Sequence, residues 1–132
     1  MKRLCVIVLL CALALMPVVA SAQSLNGSIY VAQGGSVPEI FMFTVSGQTF
    51  VMSLLTFGNG GNGRWFAAFG TTDGVSGVGQ VINPRGFTFL EPPGASVMFQ
   101  LDGPGAAAGS FTIKGLEAFL SLSSGRFVRV FP

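Results

Sequence analysis

All nineteen glycines of this 132-residue chain fall after residue 22, and they break everything beyond that point into short apolar runs. They cluster at Gly34-Gly35, Ser46-Gly47, Gly58 to Gly63, Asp73-Gly74, Asn83-Pro84-Arg85-Gly86, Pro93-Gly94, Asp102-Gly103 and Ser124-Gly125. Glycine supplies the positive φ that tight turns need and interior strand residues avoid. No stretch between these clusters keeps apolar residues at i, i+3, i+4 and i+7 over three turns, so the pattern is all-β. Strands are expected near 28–33, 39–45, 49–57, 64–71, 78–82, 86–90, 95–101, 109–114, 116–122 and 126–131. The segment GLEAFLSL at 115–122 could instead form a helix of two turns, stopped by Ser-Ser-Gly.

The residues before the first glycine have a different character. Lys2 and Arg3 precede the apolar run CVIVLLCALALM, followed by Pro17 and the small triplet Ala20-Ser21-Ala22. A basic start, an apolar core of about a dozen residues and a small-residue cleavage site make a secretory signal peptide. Residues 1–22 are therefore expected to be a leader and 23–132 a single exported antiparallel β domain, periplasmic or extracellular. Cys11 lies inside the apolar core rather than at the cleavage point, which argues against a lipoprotein.

Both cysteines leave with the leader, as do Lys2 and Arg3. Five basic and five acidic residues remain, so the net charge of +2 belongs to the leader. A neutral domain has no basic field for nucleic acid or an anionic membrane. Without disulfides, a chain of this size rests on its core alone.

The stretch EIFMFTVSGQTFVMSLLTF, residues 39–57, is free of charge after Glu39. Ser46-Gly47-Gln48 divides it into two arms too short to cross a bilayer as helices, so it reads as a hairpin. Phe41, Phe43 and Val45 share one face of the first arm, and Ile40, Met42 and Thr44 share the other. The second arm sets Phe50, Met52 and Leu54 against Val51, Leu55 and Phe57. Both faces are apolar. Later strands have one wet side, because Val97, Phe99 and Leu101 alternate with Ser96, Met98 and Gln100, and Phe111 and Ile113 alternate with Ser110, Thr112 and Lys114. This predicts a small barrel or sandwich of about eight to ten short strands, with the hairpin central or facing a partner. An outer-membrane barrel needs longer strands of about nine to eleven residues. Stable membrane insertion is therefore not expected.

Chemistry is scarce. Histidine is absent from the chain, which excludes Ser/His/Asp and Cys/His mechanisms and the usual imidazole metal ligand. A GxGxxG occurs at Gly58, Gly60 and Gly63, but it opens the strand-like RWFAAF rather than a phosphate-binding helix, so it reads as a hairpin turn. Asp73 and Asp102, each before a glycine, read as turn formers. Glu39 and Glu91 beside prolines read as strand-edge charges, and Glu117 as part of a solvated face. Neither TTDG nor LDGPG has the oxygens of a calcium loop. No cofactor, no metal site and no enzymatic activity are expected.

Aromatic side chains are the abundant resource: thirteen Phe, Trp65 and Tyr30. Their first reading is core filling. If a ligand or partner is contacted, Tyr30, Trp65, Phe41 and Phe43 are the candidate residues. The leading expectation is a non-enzymatic domain that associates with itself, as a homo-oligomer, or with another envelope or extracellular protein. The hairpin arms lack the lysine or proline that blunts exposed strand edges. The alternative is a small Phe-lined barrel that holds an apolar ligand.

FMFTVSGQTFVMSLLTF, GRWFAAFGTTDG and the closing GSFTIKGLEAFLSLSSGRFVRVF together resemble an uncharacterised β-rich domain of secreted, chiefly proteobacterial, proteins. That domain carries an aromatic hairpin of the form FxYDxxGxPxWY, a Gly-rich turn, a strand ending near TTG, and a last strand with a basic residue and a terminal aromatic. The resemblance runs in order over roughly 28–131 and implies export and an antiparallel β architecture. It brings no activity to any residue. Thr44-Val45 stand here for the Tyr-Asp, Thr49 for the Pro and Val51-Met52 for the Trp-Tyr, so the polar aromatics of the hairpin are missing.

Overall fold

The computed structural model describes residues 25–57, 63–82 and 94–131. They form eight antiparallel strands: β1 (Ile29–Ala32), β2 (Glu39–Ser46), β3 (Thr49–Thr56), β4 (Arg64–Thr72), β5 (Ser76–Ile82), β6 (Ser96–Leu101), β7 (Ala108–Lys114) and β8 (Ser124–Phe131). Each strand pairs with its neighbours in sequence, and β8 returns to pair with β1, so the sheet closes as an up-and-down barrel. The all-β expectation holds, and closure decides between barrel and sandwich. The strand expected at 86–90 lies outside the described residues, as do Glu91 and the leader.

Alternation puts one set of side chains inside the barrel. Phe41, Phe43, Phe50, Phe66, Phe99, Phe111 and Phe127 are buried there with Tyr30. Each fully buried ring contributes roughly 1.5–3 kcal/mol by leaving water, so these rings dominate the core. They pack edge-on or tilted, with centroids from 4.6 Å for Tyr30 and Phe127 to 6.4 Å for Phe43 and Phe127. Leu25, just before β1, is buried at the short-turn end of the barrel, and Leu116 and Leu120 at the long-loop end.

The rings fit because glycine faces them. Gly77 and Gly79 on β5 and Gly109 on β7 occupy inward positions whose cross-strand partners are Phe99, Val97 and Leu101. A Cβ on Gly77 would collide with the ring of Phe99, one on Gly79 would come within 3.0 Å of Phe50, and one on Gly109 within 2.7 Å of Phe127. Small opposite large is how a narrow eight-stranded barrel is filled by side chains.

Two expected elements differ. Residues 116–122 are neither strand nor two-turn helix: the amides of Phe119 and Leu120 both donate to the Leu116 carbonyl, making a single turn. The turn buries Leu116 and Leu120 and leaves Ala118 exposed, whereas a strand would put Ala118 on the same face as both leucines. Ser124-Gly125 is not a turn but the start of β8. Gly125 leaves room for the Leu122 side chain, whose Cδ2 would lie 2.9 Å from a Cβ there.

Gly77→Ala should therefore lower the free energy of unfolding by about 1–3 kcal/mol, as overpacked cores do. Urea titration measures it. Combining it with Phe99→Leu should cost less than the two single changes added together, because the smaller side chain vacates the space the methyl needs.

Candidate interaction face

Closure turns the second set of side chains outward, and this outer wall has two unlike halves. On β2 to β5 the cross-strand register aligns Ile40 with Leu55 and Trp65, then Met42 with Ser53, Ala67 and Ile82, then Thr44 with Val51, Phe69 and Gln80. No outward position in these rows is charged. On β6 to β8 the outward positions are Ser96, Met98, Gln100, Ser110, Thr112, Lys114, Ser124 and Arg126, with Val128 beyond and the exposed Val130 and Phe131 at the end of β8. Arg126 forms a two-pronged ion pair with Asp102, at 2.7 Å for Nη1 to Oδ1.

The apolar half is well exposed: Trp65 is 46% and Phe69 54% accessible. These two sit on alternate outward positions of β4, where Trp65 is paired with Leu55 of β3, and Phe69 with Val51 of β3 and Gln80 of β5. An open groove of 330 Å³ flanks this half at the short-turn end, lined by Gln48, Thr71, Asp73 and Val78 among others. A second open groove, of 240 Å³, runs outside β5 to β7 over Met98 and Thr112.

The four candidate contact residues do not converge. Tyr30, Phe41 and Phe43 are at most 2% exposed and meet one another through Phe127 inside the barrel. Trp65 stands alone outside, among residues the sequence reading did not single out: Val51, Phe69 and Ile82. Val51 belongs to the charge-free alternation of the hairpin, but that Phe69 and Ile82 lie on the same wall depends on the register of β4 and β5.

The polar groups near the barrel ends do structural work. Glu39 is fully buried, which corrects the strand-edge reading. Its Oε1 accepts from the amides of Ser121 (2.8 Å) and Leu122 (3.0 Å) and from the Ser121 hydroxyl (3.1 Å). Oε2 has no hydrogen-bond partner among the described residues. The carboxylate thus ties the 115–123 loop across the long-loop end, and Arg64 stacks on Phe119 of that same loop, 4.6 Å from the ring centroid. At the opposite end the Tyr30 hydroxyl donates to the Ala106 carbonyl (3.2 Å) and accepts from Arg129 Nη2 (2.9 Å), bracing the β1–β8 seam.

Asp73 behaves as the turn former expected of it. The amides of Ser76 (2.7 Å) and Val75 (2.8 Å) donate to its Oδ1 and, in that order, hold its carboxyl below the ordinary range. Gly74 takes the positive φ of the turn. Asp102 is held low by Arg126, and it too sits at its expected turn.

No family profile, characterised relative or solved structure matches this chain. Among the described residues no cluster of His, Cys, Asp and Glu could hold a metal ion, and no helix is long and apolar enough to cross a membrane.

Glu39→Ala would strand the Ser121 and Leu122 amides, each worth roughly 1–3 kcal/mol when buried without a partner. Stability should fall by about 2–5 kcal/mol, and trypsin should cut after Lys114, at the root of the freed loop, much sooner than in the parent chain. Mass spectrometry of the digest reads both the site and the rate. Asp73 yields a pH prediction. A carboxyl depressed on folding stabilises above its unfolded pKa, and that contribution is lost as pH falls through the lower folded value. Asp73→Asn should therefore flatten the loss of stability below about pH 4, as followed by acid titration of the melting temperature.

Proposed function

We propose that this chain is an exported, non-enzymatic barrel that works by association through the uncharged outer wall of β2 to β5. The observation that carries the reading is the division of the outer surface. A domain that only needed solubility would distribute charge around its circumference, whereas here the charged outward positions, Lys114 and Arg126, lie on β7 and β8 and the rows of β2 to β5 carry none. Exposed apolar patches of this size mark contact surfaces. The mode of association also follows. Closed barrels leave no free strand edge, so contact is by side chains, and the missing edge gatekeepers of the hairpin have no edge to guard.

An apolar-ligand barrel shares the eight strands and the aromatic interior. Association is favoured because the interior rings already contact one another and are seated on glycines, while the surplus apolar surface faces outward. A lipid-facing barrel would need an apolar band around the whole circumference, and Gln100, Ser110, Lys114 and Arg126 interrupt it. Export rests on the leader-like first 22 residues and on the resemblance to secreted β domains. The absence of histidine and cysteine from residues 23–132 supports a role without catalysis.

A photo-crosslinking residue placed at Phe69 tests the reading in the exporting cell. Discrete adducts are expected from position 69 and none from Ser110 on the polar wall. Water-quenched product alone at both positions would refute association.

A further inference from the structure

We infer that the occupant of the β2–β5 wall is a second copy of this chain, packed face to face about a two-fold axis through β4. This rests on the association reading above and adds the identity of the partner.

Area is the first argument. Met42, Val51, Trp65, Phe69, Val78 and Ile82 are 39–59% exposed. On full areas of about 150–250 Å² for such large side chains, they offer roughly 500 Å² of apolar surface per copy. Two copies bury at most roughly 1,000 Å², the floor for a specific interface and short of the roughly 1,200–2,000 Å² of stable ones. A single wall thus supports a weak, reversible dimer.

Charge is the second. In a two-fold interface the residues near the axis meet their own counterparts, so any charge there would face its like. The outward rows of β2 to β5 contain none, and hydroxyl and amide groups (Thr44, Ser53, Gln80) stand among the apolar positions. A partner recognised by charge would find nothing complementary on this wall. A copy of the same wall finds an apolar surface without repulsion, as homodimer interfaces do.

Shape is the third. Trp65 and Phe69 are large and exposed on the outer side of β4, the longest described strand, with the small Ala67 between them. Aromatic residues of this kind anchor interfaces at their centre. Trp65 is also the chain's single tryptophan, so its emission reports on the wall alone.

The test uses the full chain, purified as the exporting host leaves it. Sedimentation equilibrium should show a monomer–dimer equilibrium, with Trp65 emission moving to shorter wavelength as the dimer forms. Phe69→Lys and, independently, Val51→Lys should weaken dimerisation at least tenfold, while Ser110→Lys leaves it unchanged; circular dichroism confirms that each variant is folded. Mixing Phe69→Lys with Phe69→Glu should restore a heterodimer, since a residue near the axis then meets an opposite charge. A monomer at millimolar concentration overturns the inference, as does a dimer indifferent to both Phe69→Lys and Val51→Lys. Flotation of the monomer with neutral phosphatidylcholine vesicles also overturns it, by giving the wall to lipid. Adducts from position 69 to a different protein, with a monomeric purified chain, refute the second copy and leave association standing. No adducts from position 69 refute both.

Discussion

Phenylalanine rings seated on glycines inside a narrow barrel are the interaction on which everything else in this molecule depends. Eight strands enclose just enough room for side chains, and seven buried Phe with Tyr30 would overfill it if every inward position carried a Cβ. Gly77, Gly79 and Gly109 remove that excess where the rings of Phe99, Phe50 and Phe127 lie. Glycine weakens an isolated strand, so the rings and the glycines compensate each other: the rings supply the burial that glycine cannot, and glycine supplies the space the rings require. Residues 23–132 contain no cysteine, so the domain holds together without disulfides among them.

That interior frees the outer surface from any part in the core, and the outer surface is then divided. Closing the sheet leaves no edge strand, so sheet extension is not available as a mode of contact. What the molecule can offer is a wall of side chains. The polar groups at the barrel ends fit the same picture. Glu39 fixes the long-loop end from within, Arg64 presses on that loop through Phe119, and Tyr30 with Arg129 braces the opposite end. None of these groups reaches the uncharged wall, which is therefore a rigid surface set by strand pairing alone.

Much of this was legible in the sequence, for a physical reason. Alternation is a local property, so Phe41, Phe43, Phe50, Phe99 and Phe111 could be assigned to one face and Ser96, Gln100 and Ser110 to the other before any tertiary contact was known. Turns at Ser46-Gly47 and Asp73-Gly74 were equally visible, since positive φ is a demand on one residue. What escaped was whatever depends on distant pairing. Glu39 looked like an edge charge because its partners, Ser121 and Leu122, lie more than eighty residues away. GLEAFLSL carried an apolar pattern that suits a strand or a helix, and only the open end of a barrel makes it a plug. Ser124-Gly125 resembled a turn because a glycine chosen for space and one chosen for φ are written with the same letter. Likewise, Phe69 and Ile82 gained their neighbours only through register.

The β1–β8 seam has a kinetic meaning. Every other pairing in the barrel joins strands adjacent along the chain, and such contacts form early at little entropic expense. Tyr30 and Arg129 are 99 residues apart, and bringing the ends of so long a segment together costs on the order of 4 kcal/mol in chain entropy. The meander therefore assembles first as an open, curling ribbon, and the circle shuts last. Until it does, both lateral margins of that ribbon carry unpaired amides and carbonyls, and it is in this interval that the folding polypeptide is most exposed to mispairing with other nascent chains.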